Sequence, residues 1–237
     1  MKRFQNILYV IEAQGFQEAG LARALSLAKN NQARLTLVHV LPEERLGLFL
    51  ASQGLSAAEF KNAVVAERRA WIESLVAPHA NELACHIEVL TGKMFIEVIR
   101  AALRHDHDLV IKTAENPDWS QLLFGSDDMH LMRKCPCPVW LMRPEDKPNY
   151  RCIVAAIDVD VLQTKPDEQA LNDRILELAF SLALSDFAEL HLVHVWDAPD
   201  AGFVSLWAND PDMTEHNIIE DEHSRHKVAM HRLTHRL

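Results

Sequence analysis

"LARALSLAKNNQARLTLVHV" (residues 21–40) and "LELAFSLALSDFAELHLVHV" (residues 176–195) align without a gap, and eleven of their twenty positions are identical. Identity at this level over so short a stretch indicates an internal duplication. Upstream, "NILYVIE" (residues 6–12) matches "CIVAAID" (residues 152–158) in its apolar pattern. The segment between the two matches is longer in the second copy. The chain therefore carries two copies of one structural unit.

Each copy begins with a short apolar run, at residues 7–11 and 153–157, of the kind that forms strands buried on both faces. Leu21, Leu25 and Ala28 then share one face of a predicted helix, and a second strand follows at residues 35–40. The first copy continues with predicted helices at 57–76, 94–105 and 127–134, and with strands at 85–90, 108–112 and 138–142. This alternation predicts an α/β fold with a five-stranded, parallel, doubly wound sheet and right-handed crossovers.

The domain organisation follows from where the two copies stop. Residues 1–144 form a complete first domain, and residues 145–150 read as a charged, proline-containing linker. Residues 151–237 contain only the amino-terminal half of a second domain, with the order strand, helix, strand, helix. Two strands and two helices bury too little surface to form a stable domain alone. We therefore expect this half to pack against the first domain or another chain, or to stay partly mobile. The sequence leaves open whether the second domain is naturally short or a fragment.

Composition narrows the function classes. The formal net charge of -10 over 237 residues argues against general binding to nucleic acid or to anionic membranes. No apolar run is long enough to cross a bilayer, and the amino terminus lacks the pattern of a signal peptide, so we expect a cytoplasmic protein without membrane insertion. Four cysteines in a chain of this length predict reduced thiols rather than a disulfide framework.

The duplicated "LVHV" strands, the Gly-Ser before a short helix and the "CPCPV" before the last strand resemble the universal stress proteins. Within that family, "LLFGSDDMHLMRKCPCPVWL" (residues 122–141) is most similar to the tandem-domain, E-type members. The resemblance implies a Rossmann-like fold, similar to the adenine nucleotide alpha hydrolases, with strand order 3-2-1-4-5. It also implies a stress-induced binding protein, often dimeric through the fifth strand and without a shared catalytic reaction.

Many universal stress proteins bind ATP, and the binding members resemble one another in a G-x-x-G-x9-G-[ST] pattern. Counting back from Gly125 by that spacing reaches Glu115 and Lys112, so both upstream glycines are missing. Glu115 would place a carboxylate where backbone N–H groups should approach phosphates without a Cβ in the way. Ser126 is then read as a simple helix N-cap, followed by acidic residues at 127 and 128. We therefore expect no cofactor, with ATP kept as the alternative.

The surface predicted to bind a ligand lies at the carboxyl ends of the strands, where ligands bind in open α/β sheets. The residues placed at the mouth of this pocket are Glu12, Val40, Lys112, Thr113, Glu115, Gly125 and Ser126. The apolar segment "LGLFLASQGLSAAEF" (residues 46–60) is predicted to cover it, which favours an unidentified small or apolar ligand. The predicted function is a non-catalytic binding or assembly module, and the alternative is a nucleotide-dependent switch or weak ATP hydrolase.

The last strand of the first copy is predicted to mediate homodimer formation. It is apolar and lies at a sheet edge, where unpaired N–H and C=O groups invite another strand. Its residues are Pro138, Val139, Trp140, Leu141 and Met142.

The cysteines and histidines could serve a metal or redox site, or they could serve packing. Cys135 and Cys137 are one residue apart, too close for the usual zinc spacing, and Cys-Pro-Cys-Pro is interpreted as an extended lead into the last strand. The histidines at 223, 226, 231 and 235 have helical spacing that can bind a metal, but a solvated helix end is the plainer interpretation. His39 and His194 occupy equivalent positions, which favours an architectural or pocket-edge role. No catalytic residue is assigned.

Overall fold

The structure is a computed structural model of the 237-residue chain. It describes residues 4–12, 18–42, 57–114, 126–143, 145–147, 149–159, 166–198 and 200–235. The chain divides into two compact units, Lys2–Asn149 and Tyr150–Leu237. This division falls within the segment interpreted as a linker.

The first unit contains a five-stranded parallel sheet. Its strands are β1 (Asn6–Val10), β2 (Arg34–Leu41), β3 (Cys85–Thr91), β4 (Leu109–Thr113) and β5 (Val139–Met142). The spatial order is β3-β2-β1-β4-β5, which confirms the predicted order and fold class. β1 is buried along its whole length because it is the central strand and has partners on both sides.

Four helices complete the first unit: α1 (Glu18–Asn31), α2 (Ala57–Val76), α3 (Met94–Arg104) and α4 (Asp127–Lys134). α2 ends in a single 3₁₀ turn, Ala77–His79, because Pro78 cannot continue the backbone hydrogen bonding. α4 begins at Ser126, whose hydroxyl oxygen accepts a hydrogen bond from the Met129 N–H at 3.3 Å. This contact confirms the N-cap interpretation of Ser126.

One face of the sheet packs against α3 and α4. Strand residues Leu8, Val10, Val38 and Val110 form a buried cluster with residues of the two helices, namely Val98, Ala101, Ala102 and Leu131. Cys135, Cys137 and Val139 pack partly buried against the same cluster. The packing role predicted for the Cys-Pro-Cys-Pro segment is therefore seen in the structure.

The strand order reverses between β1 and β4. The chain leaves β1 toward β2 on one side and later returns to pair β4 on the other, with Val10 opposite Val38 and Lys112. In open α/β sheets, ligands bind in the crevice outside the carboxyl ends of the strands, at the point where the strand order reverses. Glu12 and Lys112 lie at that position in this sheet, which we call the crevice.

The second unit consists of β6 (Cys152–Ala156), α5 (Pro166–Asp186), β7 (Glu189–Val193), α6 (Ala201–Ser205) and α7 (Pro211–Thr234). β6 and β7 are parallel, and the short helix α6 adds one element to the predicted order. Buried Ile157, Val159 and Leu176 form a small core against which Ala229, Met230 and Leu233 of α7 pack. None of the helices in the described ranges is long and apolar enough to cross a membrane.

Candidate functional site

Lys112 is the central residue of the crevice. It is the next-to-last residue of β4, and its side chain has no exposed surface. A buried ammonium group is costly unless charged or hydrogen-bonding partners surround it. The contacts of Lys112 therefore determine what the crevice can bind.

Three oxygen atoms surround the Lys112 ammonium group. Nζ lies 3.1 Å from Oε1 of Glu12 and 3.0 Å from Oδ1 of Asp128, and it donates a hydrogen bond to the Thr113 carbonyl at 3.0 Å. The Thr113 carbonyl accepts a hydrogen bond, and the two carboxylates form ion pairs with the ammonium group. We call Glu12, Lys112 and Asp128 the ion triad.

The ion triad fixes the charge of the crevice. Burial alone would lower the pKa of Lys112, but the neighbouring Glu12 and Asp128 carboxylates overcome it and hold the pKa above its usual value. The lysine is therefore charged at neutral pH, and with two carboxylates the triad carries a net charge of about -1. The Asp128 side chain is 9% exposed whereas that of Glu12 is 34% exposed, so Glu12 faces the solvent side.

Asp127 lies next to Asp128 in the first turn of α4. Burial raises the pKa of the Asp127 carboxyl, with Lys112 acting in the opposite direction. Together with Asp128 it occupies the first turn of the helix, where a carboxylate complements the positive end of the helix dipole. The amino terminus of α4 is thus already supplied with anions from its own sequence.

Gly20 of α1 packs closely against Tyr9 of β1 and Thr113 of β4. A Cβ added to Gly20 of α1 would lie 2.6 Å from the Thr113 Oγ1 and 2.7 Å from the Tyr9 hydroxyl. Tyr9 is 2% exposed, and burial raises its pKa to about 12. Only a residue without a side chain lets α1 approach the sheet this closely.

The structure brings together some of the predicted pocket residues. Glu12 and Lys112 are in direct contact, and Thr113 and Ser126 lie at the adjoining ends of β4 and α4. Val40, in contrast, packs partly buried against the core cluster under α3. Glu115 and Gly125, and most of the predicted lid at 46–60, lie outside the described residues.

Asp128 is a site residue that the sequence-based set did not include. Its position beside Ser126 was visible in the sequence, but the interpretation there was a dipole-complementing residue. The structure shows that its carboxylate also reaches Lys112 in β4. The available signal was a pair of acidic residues after an N-cap serine, combined with a lysine at the end of a buried strand.

His39 and His194 make the same backbone contact in the two units. The Nδ1 atom of His39 is 2.7 Å from the Ile11 carbonyl, and that of His194 is 3.2 Å from the Ile157 carbonyl. Both carbonyls directly follow the first strand of their unit. This equivalence supports the predicted architectural role, in which each histidine ties the ends of two neighbouring strands together.

The histidines near the carboxy terminus contact aromatic rings and one another. In the second unit, the Nε2 atom of His194 is 2.9 Å from Nδ1 of His226, and Trp196 stacks on the rings of His223 and His226. Within the described part of the chain, no group of three or more His, Cys, Asp or Glu residues is placed to hold a metal ion.

A second concave surface lies at the opposite end of the sheet. A cavity of about 570 Å³ opens at the amino ends of β1, β2 and β3, lined in part by Asn6, Arg34, Cys85 and His107. Sequence reasoning did not anticipate it. Its polar groups largely serve the fold: Asn6 donates a hydrogen bond to the His105 carbonyl at 2.6 Å, and His107 contacts the Asn6 carbonyl at 3.3 Å.

The family model of the universal stress protein family matches residues 3–143, which is more than half of the chain. The chain belongs to the universal stress protein family. This membership confirms the resemblance drawn from the "LVHV" strands and the "CPCPV" segment.

Among known universal stress proteins, the chain is similar to those named universal stress protein E. It is 26% identical to that of Photorhabdus laumondii over 98% of this chain and 74% of the relative. It is 26% identical to that of Escherichia coli K12 over 81% of this chain, and it spans only 62% of that relative's length. The Haemophilus influenzae homolog is 28% identical over 81% of this chain and 64% of its own.

Solved universal stress protein structures share the fold. The putative universal stress protein from Pseudomonas aeruginosa UCBPP-PA14 superposes with a TM-score of 0.60, at 18% identity over 93% of this chain and 69% of its own. The universal stress protein from Archaeoglobus fulgidus superposes with a TM-score of 0.59, at 15% identity over 82% of this chain and 67% of its own. At such low identity, these similarities concern the fold alone.

Proposed function

We propose that this universal stress protein is a non-catalytic, cytoplasmic binding and assembly module of the stress response, whose nucleotide site in the first unit has decayed. The observation that carries the proposal is the ion triad. The cation at the strand-order reversal is already bound by two carboxylates of its own chain. A ligand must therefore be recognised by something other than a free lysine.

A triphosphate would meet several unfavourable interactions in this crevice. It would have to compete with Glu12 and Asp128 for the Lys112 ammonium, whose nitrogen already has three oxygen atoms within 3.1 Å. Two charges 4 Å apart interact by about 4 kcal/mol at an effective dielectric constant near 20. Solvent screens the charge of Glu12, whose side chain is about one-third exposed, but it screens the nearly buried Asp128 much less.

The ligand that suits this crevice is a small neutral or apolar molecule. Such a molecule would neither repel the net negative triad nor demand the Lys112 ammonium. The apolar composition of residues 46–60, which follow β2 in the chain, favours such a ligand. Native mass spectrometry of the protein purified from its own host would show such a retained ligand directly.

Titration calorimetry with magnesium ATP tests the decay of the site. We expect no heat of binding for the wild-type chain up to about millimolar ATP, corresponding to about -4 kcal/mol or weaker. Replacing both carboxylates, Glu12→Gln with Asp128→Asn, should strengthen any residual binding at least about tenfold, since Lys112 is then released. Micromolar binding to the wild-type chain that Lys112→Met abolishes would overturn the proposal.

The second candidate is a nucleotide-dependent switch or weak ATP hydrolase. Lys112 and the Ser126 N-cap favour it, because a cation and a helix N-terminus both remain at the carboxyl end of the sheet. A burst of phosphate release that Ser126→Ala abolishes would support this candidate. Phosphate release unchanged by Ser126→Ala would be assigned to a contaminant.

Assembly is proposed to occur through β5. β5 is the outermost strand in the described sheet and pairs only with β4 there. The carbonyls of Pro138 and Met142 accept hydrogen bonds from Val110 and Ala114 on the β4 side. Because strand residues alternate, the N–H groups of Val139 and Leu141 point to the open side, where a second copy can add its own strand.

A proline substitution in β5 tests whether assembly needs the outward N–H groups rather than the apolar surface of the strand. Leu141→Pro removes an outward N–H without removing a donor to β4, and Leu141→Thr keeps the N–H while matching the loss of apolar surface. We expect a concentration-dependent dimer for the wild-type chain and for Leu141→Thr, but a monomer for Leu141→Pro, by sedimentation equilibrium. A wild-type chain that stays monomeric at high concentration would contradict assembly through β5.

A further inference from the structure

Cys135 and Cys137 bring two thiol groups together at the junction between α4 and β5. Cys135 is the C-cap of α4, with its N–H bonded to the Leu131 carbonyl, and Cys137 lies two residues before β5. Their Sγ atoms are 3.7 Å apart. Both residues keep some exposed surface, and Pro136 between them is exposed. Packing alone does not require two thiols to face each other.

The two thiols differ in acidity. The hydrogen bond between the two thiols, opposed by burial and aided by the Cys137 backbone N–H, lowers the pKa of Cys135 to about 7. The same contact raises the pKa of Cys137, and burial acts in the same direction. A thiolate next to a thiol is the pairing of a nucleophile with a resolving group.

We propose that Cys135 and Cys137 form a peroxide-reactive dithiol that closes to an intramolecular disulfide. In the first step, the Cys135 thiolate attacks one oxygen of hydrogen peroxide or an alkyl hydroperoxide. The O–O bond breaks, Cys135 becomes a sulfenic acid, and hydroxide or alkoxide leaves and takes up a proton. In the second step, Cys137 sulfur attacks the Cys135 sulfur, and water leaves with the proton of the Cys137 thiol. Two thiols and one peroxide thus yield one disulfide. The other products are two molecules of water from hydrogen peroxide, or one water and one alcohol from an alkyl hydroperoxide.

The short spacing makes this disulfide easy to reduce. The two sulfur atoms must approach from 3.7 Å to a bond length of about 2.0 Å, with only Pro136 between the two residues. Proline restricts the backbone there, so the bond forms under strain and has a higher reduction potential than an unstrained disulfide. The site is therefore reversible: peroxide closes it and a cellular dithiol reopens it. This inference does not depend on the ligand proposed for the crevice.

The experiment uses the full chain with Cys85→Ser and Cys152→Ser, so that the pair supplies the only thiols. After treatment with one equivalent of hydrogen peroxide at pH 7, we expect the intact mass to fall by two hydrogen atoms and to recover after reduction. Trypsin does not cleave before proline, so both cysteines lie on one peptide, residues 135–151. The loss of two hydrogen atoms should map to that peptide. Oxidation of Met142, which lies in the same peptide, would instead raise its mass by one oxygen atom.

Two single variants in the same background test the part that each thiol plays. In Cys137→Ala, Cys135 loses the thiol that lowers its pKa, so less of it is thiolate at pH 7. A dimedone-trapped sulfenic acid should then form about threefold more slowly than the disulfide forms in the dithiol chain, because the higher pKa also makes the remaining thiolate more nucleophilic. In Cys135→Ala, Cys137 likewise loses its thiol partner, so no intramolecular disulfide can form and the mass should not fall by two hydrogen atoms. The proposal fails if peroxide yields only oxygen adducts or disulfides between chains, or if both single variants are oxidised as fast as the dithiol chain.

Discussion

Replacing Lys112 with methionine is the most direct perturbation of the ion triad. Methionine keeps most of the length and volume of the lysine side chain but removes the ammonium group. Asp128, with 9% of its side chain exposed, then faces Glu12 without the cation between them. The substitution therefore tests whether the three charges form one interdependent network.

The expected loss of stability is about 2–4 kcal/mol. Removing one partner of a buried ion pair typically costs about 3–5 kcal/mol, because it leaves an uncompensated charge with little access to water. Glu12 is 34% exposed, so water relieves part of that cost and the expected range is somewhat lower. Most of the loss should come from Asp128.

Urea unfolding of the first unit measures this loss. Trp196→Phe and Trp207→Phe in the background remove the tryptophans of the second unit, so that fluorescence reports only the first. The midpoint should fall while the slope of the transition stays unchanged. Adding Glu12→Gln and Asp128→Asn to Lys112→Met should recover at least half of the loss, because no buried charge is then left without a partner.

Lys29→Met supplies the matched control. Lys29 contacts Glu82 at 2.6 Å, but the two side chains are 58% and 56% exposed. An exposed pair contributes at most about 1 kcal/mol, so this variant should unfold nearly like the wild type. A Lys112→Met variant that loses less than about 0.5 kcal/mol, or a triple variant that loses the sum of its single changes, would refute the reasoning.

Three further predictions follow from the packing beneath the crevice. Gly20→Ala should destabilise the first unit by about 1–3 kcal/mol in urea unfolding, despite the higher helix propensity of alanine, because its Cβ would lie 2.7 Å from the Tyr9 hydroxyl. Gly202→Ala should be neutral or stabilising, because its Cβ would lie 3.9 Å from the Glu215 carboxylate. Tyr9 should ionise near pH 12 in an ultraviolet absorbance titration, a step that Tyr9→Phe removes. Because its folded pKa exceeds the unfolded value of about 10, stability should fall by up to about 3 kcal/mol as the pH rises between the two values; a flat profile would contradict this. Burial lowers the pKa of His39, so the unfolded state takes up the proton first and stability should fall as the pH drops below about 6.5. His39→Gln should make the urea midpoints at pH 7 and pH 5 more alike, and an unchanged difference would count against the burial argument.

The order of strands and helices could be read from the sequence alone. Apolar runs bounded by helical patterns identified β1 to β5, and the structure places their ends within one or two residues of the predicted ones. The duplication itself located the second unit, because the shared "LVHV" strand must occupy the same place in both copies. These features depend on local periodicity, which a linear sequence records directly. The loss of the glycines before Gly125 is likewise a fact of the sequence.

Only the tertiary structure determined which side chains meet. Lys112 lies 100 residues from Glu12 and 16 residues from Asp128, and pairing of β1 with β4 and the docking of α4 bring the three together. The sequence likewise placed Cys135 and Cys137 close along the chain, but the 3.7 Å between their sulfur atoms depends on how the chain leaves α4. Charge and reactivity are set by contacts a few ångströms long, and those distances exist only once the sheet and its helices have packed.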